Sequence, residues 1–329
     1  MIFYFLDSPF RSSGQEERVK RMSHTTLQPA RAEIKTGCRE FAGTIRRFLP
    51  SSIPEFFPIL TSLFLTISPI NPAAAQKKIY IFTDLEGVSG VYTFAQTREK
   101  DTRLNLQACE YFMDDLSAVI RGLRDGGATE ILVVDGHGSQ CVIPHRMEPG
   151  AKYLTGRPRP ANLWGLDSSF AGLVQFGSHA MMGTPDGVLN HTQSSKPENR
   201  YWYNGVESGE LVQCAAIAGK YGIPTILVTG DEAACRESKK FLGKNCVTVA
   251  VKDGISREAA ILYPFKETRK DLYEGAKKAM KALPGCKPYK MDMPIKGKMQ
   301  YLDLRSDSTG HQIMTKEAIF DDVEDILNF

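Results

Sequence analysis

The segment 78–87 reads KIYIFTDLEG, and it opens the part of the chain in which strand and helix patterns alternate. Its apolar and aromatic residues predict a buried strand over 78–84. A helical pattern over 105–124 follows, closed by two glycines at 126 and 127, and a second apolar strand is predicted at 130–135. This βαβ order predicts an α/β fold with a mostly parallel sheet flanked by helices.

The same alternation continues to residue 283. Further strands are predicted at 173–177, 225–229 and 245–251, and further helices at 208–221, 231–242 and 266–283. The sequence PGCKP at 284–288 then breaks the helical pattern. One more strand at 299–304 and an acidic helical patch at 321–327 are predicted in the tail. The predicted organisation is therefore a leader at 1–75, an α/β domain at 76–287 and a small C-terminal elaboration at 288–329.

The charge distribution excludes one class of partner. Residues 1–75 hold nine of the 41 Lys and Arg and six of the 38 Asp and Glu, which leaves 32 of each sign in the rest of the chain. A domain that binds nucleic acid normally carries a basic surplus on its surface. We therefore expect no nucleic-acid partner.

The leader has the layout of a secretory signal. Arg46 and Arg47 precede an uncharged and mostly apolar stretch at 56–70, and three alanines at 73–75 end it. Basic, apolar and small residues in this order are typical of a signal peptide, and the apolar part is short for a membrane-spanning helix. We expect cleavage near Ala75 and a periplasmic or extracellular protein, with membrane contact only if the leader is not cleaved.

The cysteines show no close pairing. Cleavage would remove Cys38 and leave six, an even number that permits disulfides in an exported protein. Several of the six lie in apolar strand or helix patterns, so we predict buried free thiols.

Metal-ligand residue types follow three of the predicted strands. Asp84 and Glu86 end the first strand, where an extended chain would point both carboxylates to one face. His137 follows the second strand in a glycine-rich loop, with Asp135 placed to orient its imidazole. His179 follows the strand at 173–177 in the same way. Parallel strands end at one edge of a sheet, so we expect these side chains to converge on a metal site there.

The sequence defines the roles of three acidic or imidazole side chains further along the chain less sharply. Glu210 begins a predicted helix, where a carboxylate is also favoured by the helix dipole, and Glu207 is its competitor. His191 lies in a turn-rich stretch, where it would act either as a proton carrier or as a third imidazole ligand.

The ordered set of motifs resembles the zinc-dependent D-aminopeptidase family first recognised in dipeptide-transport operons. The resemblance covers residues 78–283 and rests on TDLEG at 83–87, VDGHG at 134–138, GSH at 177–179, GTPDGVLNHT at 183–192, YNGVESGE at 203–210, VTGD at 228–231 and KDGIS at 252–256. The chain departs from the family at Phe82, where a small hydroxyl residue is usual, and in the tail. These departures concern substrate range and subunit contacts.

The resemblance implies a function and a site. Its zinc ligands would be Asp84, Glu86, His137, His179 and Glu210, its catalytic residue would be His191, and Asn204 would lie near the substrate. Two Zn²⁺ per subunit and a stacked-ring homo-oligomer, a decamer, are also implied. Independently, a bridging carboxylate such as Asp84 would let the five side chains give each ion three protein ligands.

The predicted activity is that of an aminopeptidase on short peptides or aminoacyl amides, with D-amino acids favoured. A metal-bound hydroxide would be the nucleophile and His191 the proton shuttle. Two alternatives stay open at this point: another metal-dependent amidase or esterase on the same scaffold, and an exported peptide-binding protein without activity.

Overall fold

A computed structural model describes residues 76–304 and 310–329 of the chain, so the predicted signal peptide lies outside the described residues. The centre of the structure is a six-stranded sheet in which every neighbouring pair of strands is parallel. In spatial order the strands are β3 (Lys152–Leu154), β2 (Glu130–Asp135), β1 (Lys78–Thr83), β4 (Phe170–Ser178), β7 (Thr225–Gly230) and β8 (Val247–Ala250). The predicted parallel α/β fold is confirmed.

Strand β1 divides the core into two layers because successive side chains of a strand point to opposite faces. Ile79 and Ile81 are fully buried in one apolar cluster, and Tyr80 and Phe82 are buried in the other. Burial on both faces explains why β1 is an uninterrupted apolar run rather than an alternating one.

Four helices cover the two faces of the sheet: α1 (Arg103–Asp125), α2 (Glu210–Lys220), α3 (Glu232–Leu242) and α4 (Phe265–Ala282). Helix α1 begins where the Thr102 side chain accepts a hydrogen bond from the Asn105 amide, an N-cap that satisfies one of the helix's unpaired donors. Apolar residues of α1 and α4 share the cluster of Ile79, and those of α2 share the cluster of Tyr80.

A second, antiparallel sheet covers the α2 side of the core. Its spatial order is β12 (Gln312–Phe320), β11 (Ile295–Asp303), β5 (Arg200–Tyr203) and β6 (Val206–Ser208), and β9 (Lys252–Ser256) pairs separately with β10 (Ala259–Leu262). Short 3-10 turns lie at Phe94–Gln96, Pro144–Arg146, Leu283–Gly285 and Val323–Leu327. The C-terminal strands therefore extend this sheet, because β11 pairs with β5 and β12 pairs with β11.

The predicted elements differ from the structure in their bounds, type and number. Strands β3, β5, β6, β9 and β10 were not predicted. Helix α2 begins at Glu210 rather than at 208, because Ser208 still pairs with Tyr201 in the second sheet. The acidic patch near the C-terminus is a 3-10 turn over Val323–Leu327, not an α-helix. The strand predicted at 299–304 is the longer β11, and its partner β12 was not predicted.

The prediction of free thiols is confirmed for the described cysteines. Cys109, Cys141, Cys214, Cys235 and Cys246 are buried and unbridged, and Cys286 is unbridged but only half-buried. Within residues 76–304 and 310–329, none of the helices is both long enough and apolar enough to cross a membrane.

Candidate metal centre

The loop that follows β1 is held tightly against the end of β4. The Asp84 amide donates to the carbonyl of Phe176 (2.8 Å), and the Gly87 amide donates to the carbonyl of Gly177 (2.7 Å). A Cβ atom on Gly87 would lie 2.1 Å from the Ser178 carbonyl oxygen, so only glycine fits this close approach. The loop therefore places the side chains of Asp84 and Glu86 at the carboxyl edge of the sheet.

Both carboxylates of this loop meet His137, which follows the neighbouring strand β2. The Nδ1 atom of His137 lies 2.8 Å from Asp84 Oδ1 and 3.2 Å from Glu86 Oε2. Strand β1 ends at Thr83, so the two carboxylates converge through the loop and not through the extended chain that the sequence suggested.

The second oxygen of Asp84 faces the other side of the cluster. His179, which follows β4, has its Nε2 atom 3.3 Å from Asp84 Oδ2 and 3.6 Å from Glu210 Oε1. Glu210 occupies the first turn of α2 and accepts a 2.5 Å hydrogen bond from the amide of Gln193. Asp84 therefore stands between the two imidazoles, with one oxygen towards each.

His191 completes the cluster from the segment between β4 and β5. Its ring stacks on that of His179 at a centroid distance of 3.9 Å, and its Nε2 atom lies 3.9 Å from Glu210 Oε1. The ligand atoms of His179, His191 and Glu210 lie within 4.8 Å of one another, as do those of Asp84, Glu86 and His179. The geometry is compatible with His191 as a ligand and as a proton carrier.

Backbone carbonyls fix the tautomers of all three imidazoles. His137 Nε2 lies 2.9 Å from the Thr97 carbonyl, His179 Nδ1 lies 2.9 Å from the Ala180 carbonyl and His191 Nδ1 lies 2.7 Å from the Leu189 carbonyl. A carbonyl only accepts, so each of these ring nitrogens carries a proton. The other nitrogen of each ring, in its neutral form, then presents a lone pair to the carboxylates.

Lone pairs that face carboxylate oxygens in a buried site repel them unless a cation lies between. Glu86 Oε2 and His179 Nε2 are moreover buried without a hydrogen-bond partner among the described residues. Metal-bound histidines commonly donate their other ring N–H to a carbonyl, as these rings do. Imidazole nitrogens with carboxylate oxygens are also a donor set that suits Zn²⁺, so the residues present fit such an ion.

The electrostatics of the protein alone show the same demand for positive charge. Burial opposes a charged His137, but the Glu86 and Asp84 carboxylates outweigh it and raise the pKa of His137 well above its usual value. Burial likewise opposes a charged His179, and Asp84 and Glu210 raise the pKa of His179 to about 10. Protons on His137 and His179 thus supply the positive charge that a bound cation would supply.

The pKa of His191 shifts in the opposite direction. Burial and the adjacent His179 lower the pKa of His191 well below its usual value, although the Leu189 carbonyl opposes the change. A neutral His191 keeps a lone pair on Nε2, next to the carboxylate cluster.

A buried ammonium group lies beneath the loop that carries Glu86. Lys252 is fully buried, and its Nζ donates to the carbonyls of Glu86 (2.6 Å), Val88 (2.9 Å) and Val91 (2.5 Å). Burial lowers the pKa of Lys252 to about 8 in spite of nearby carboxylates. This side chain therefore acts as an internal anchor for the loop.

Three residues singled out in the sequence have other partners. Asp135 does not orient His137, because its Oδ2 accepts hydrogen bonds from the amides of Cys141 and Val142 and so closes the loop after β2. Glu207 pairs with Arg200 at 2.6 Å instead of joining the cluster. The amide of Asn204 is hydrogen-bonded to the backbone of Asp292 and Lys296, so this side chain holds the C-terminal segment.

Two backbone groups at the site could not have been found in the sequence. The Thr97 carbonyl, rather than Asp135, orients His137, and the Gln193 amide holds Glu210. Every residue type supplies a backbone carbonyl and all but proline supply an amide N–H, so no sequence signal marks them.

A parallel α/β fold with buried carboxylates and imidazoles at the carboxyl edge of its sheet defines a metalloenzyme of the hydrolase type. The family model described as D-aminopeptidase matches residues 77–315, and the chain belongs to this peptidase family. The match reaches beyond residue 283, where the resemblance in the sequence ended, and includes β11 and part of β12.

Two relatives from Bacillus subtilis agree with this assignment. The chain is 32% identical over 198 residues to the D-aminopeptidase of strain 168, a stretch that covers 58% of this chain and 70% of that protein. The solved structure of the Zn-dependent D-aminopeptidase DppA, described as a self-compartmentalizing protease, superposes with a TM-score of 0.68 at 25% identity. That superposition covers 75% of this chain and 93% of DppA.

Proposed function

We propose that this chain is a zinc-dependent aminopeptidase that removes the N-terminal residue of short peptides containing D-amino acids. The observation that carries the proposal is Asp84, which presents one carboxylate oxygen to His137 and the other to His179. The names of both relatives support peptides with D-amino acids as the substrate, and the name of DppA supports zinc as the metal.

The same carboxylate supports a site for two ions. Asp84, Glu86 and His137 would hold one ion, and Asp84, His179 and Glu210 would hold the other. Zinc held there would supply Lewis-acid polarisation of the scissile carbonyl and activation of water.

His191 is proposed as the residue that moves the proton. Its Nδ1–H is committed to the Leu189 carbonyl, so Nε2 is the atom that accepts a proton from the attacking water and returns it to the leaving amine. Its lowered pKa keeps the ring neutral, as a proton acceptor requires. The stacked ring of His179 restricts its orientation to the cluster.

Assembly and location complete the proposal. The description of DppA as self-compartmentalizing supports a homo-oligomer in which the sites face an enclosed space. The apolar stretch at 56–70 with three alanines after it supports export of the mature chain to the periplasm or the cell exterior.

Metal analysis with a stereochemical assay tests the function. The protein expressed from Gln76 should bind about two zinc ions per chain and hydrolyse D-alanyl-D-alanine faster than the L-isomer. Chelation should abolish hydrolysis, and added zinc should restore it. A folded protein that binds no zinc would refute the metal centre, whereas one with an L-preference would refute only the D-specificity.

His191→Ala tests the proton carrier. Removal of a positioned acid–base group typically costs 10²–10⁴-fold in rate, so we expect kcat to fall by about that factor while zinc content stays at the wild-type level. Loss of zinc in this variant would make His191 a ligand instead, and unchanged kcat would remove it from the mechanism. His145→Ala, in an exposed turn, is the matched control.

A further inference from the structure

A directed chain of hydrogen bonds runs from the C-terminal turn through Gln193 to Asn199. The Tyr203 hydroxyl lies 3.2 Å from the Ile326 carbonyl, which only accepts, so the hydroxyl proton is committed there. Gln213 must therefore turn its Nε2 to Tyr203 (2.8 Å) and its Oε1 to Gln193 (3.4 Å). Gln193 in turn must present Nε2 to Gln213, which leaves its own Oε1 for the next partner.

The same constraint determines the orientation of Asn199. Tyr201 donates its single hydroxyl proton to Gln193 Oε1 (2.8 Å), so the group that faces Tyr201 from Asn199 is the donor Nδ2 (3.4 Å). Burial raises the pKa of both tyrosines, so both hydroxyls keep their protons. Asn199 Oδ1 is thus left as the acceptor at the end of the chain.

Asn199 is only 5% exposed, and its Oδ1 atom is buried without a hydrogen-bond partner in the described part of the chain. Asn199, Gln193 and Tyr201 line a cavity of about 580 Å³ whose other walls include Met299 and Tyr301. A buried acceptor without a donor is costly, and this volume lies within the range of ligand pockets. Charged Asp303 and Lys316 also line the cavity, so its apolar part is the wall formed by Met299 and Tyr301. That wall suits an apolar group that carries one N–H donor.

The cavity and the metal cluster share one segment of chain. Gln193 lines the cavity with its side chain, while its backbone amide donates to Glu210 Oε1. A molecule bound in the cavity would be separated from the proposed zinc ligand by a single residue. A peptide substrate carries N–H donors and apolar side chains beyond its cleaved bond. Because the cavity lies one residue from the proposed zinc ligand, it favours this remote part of a peptide.

We propose that this cavity is a substrate subsite, in which a backbone N–H of the peptide, beyond the cleaved bond, donates to Asn199 Oδ1. An apolar side chain of the peptide packs against Met299 and Tyr301. The subsite rests on the proposed peptidase function, and it extends that function to substrates longer than a dipeptide.

The test combines a protein variant with a change in the ligand. The probe is the tetrapeptide D-Ala-D-Ala-D-Ala-D-Phe with its first amide replaced by a CH₂–NH link, so that zinc-loaded wild-type protein cannot cleave it. Calorimetry gives its Kd and those of derivatives N-methylated at each remaining amide. Loss of a buried hydrogen bond should weaken binding about tenfold, both for Asn199→Leu and for methylation at one position. Both changes together should cost no more than either alone.

Further variants separate binding from folding. Leu304→Trp adds bulk at the cavity from an exposed position, so it should also weaken binding and it decides the question if Asn199→Leu does not fold. Asn162→Leu, which lies outside the cavity, should leave Kd unchanged. If N-methylation and Asn199→Leu weakened binding additively, the proposed subsite would be refuted. Wild-type affinity in Leu304→Trp would also refute it.

Different results would refute the proposed subsite and the proposed activity. Hydrolysis of D-alanyl-D-alanine without any role of Asn199 in tetrapeptide binding would refute the subsite and leave the activity standing. Coupling between methylation and Asn199→Leu in a protein that hydrolyses no dipeptide would refute the activity and leave the peptide site standing.

Discussion

Asp84→Asn should lower zinc content to about one ion per chain or less and reduce kcat/KM for D-alanyl dipeptides more than 100-fold. Loss of a group that only supports a metal ligand already costs about 10- to 100-fold, and Asp84 is proposed to contact both ions directly. Asparagine keeps the size of the side chain but presents one acceptor and one donor, so it cannot offer an anionic oxygen to each side. Metal analysis after gel filtration, together with steady-state kinetics, measures both effects.

The variant should still fold, because an asparagine NH₂ can donate to the lone pair of a neutral imidazole. Added zinc should therefore raise the melting temperature of the wild type much more than that of Asp84→Asn, since a ligand stabilises the folded state that binds it. Asp186→Asn is the control, because Asp186 is half-exposed and pairs with Arg236. Full zinc content and turnover in Asp84→Asn would contradict the proposed centre.

The sequence was informative where residues adjoin regular strands. Three apolar strands end one or two residues before Asp84, His137 and His179, and a parallel sheet brings such ends together whatever the loops do. The side chains of Asp84 and Glu86 do converge on His137, even though they lie on a loop and not on an extended strand. The prediction of the metal site therefore depended on the order and the parallel type of the strands. It did not depend on the exact backbone conformation of the loops.

The sequence was uninformative where a contact depends on the backbone or on distant parts of the chain. Asp135 is two residues from His137 in the sequence, but its carboxylate instead accepts hydrogen bonds from the amides of Cys141 and Val142. Strand β12 is mostly exposed and lacks a clear alternation of apolar and polar residues, so pairing with β11 decides its conformation. Lys252 was part of a recognised motif, yet nothing in the motif indicated a buried charge.

Lys252→Met should both destabilise the fold and weaken zinc binding. Methionine fills a similar volume but leaves the carbonyls of Glu86 and Val91 buried without a donor, while the Val88 carbonyl keeps only the Val91 amide. We expect a cost of about 3 kcal/mol in the free energy of unfolding. The loop that carries Glu86 would lose its anchor, so zinc affinity should fall about 10- to 100-fold. Urea unfolding measures the first effect, and competition with a chelator measures the second.

A variant with a similar loss of stability elsewhere separates the anchor from general destabilisation. Met280→Ala removes a buried side chain at the far end of α4, about 22 Å along the helix from Phe265, which adjoins the loop at Gly90. It should cost about 2–5 kcal/mol in stability and leave zinc affinity unchanged. Ser89 remains bound to Asp115 in both variants, so the loop should stay near the site and the weaker affinity should reflect the freedom of Glu86. Equal zinc affinity in the two variants would reduce Lys252 to a structural residue, because its loss would then act only through the stability of the whole domain.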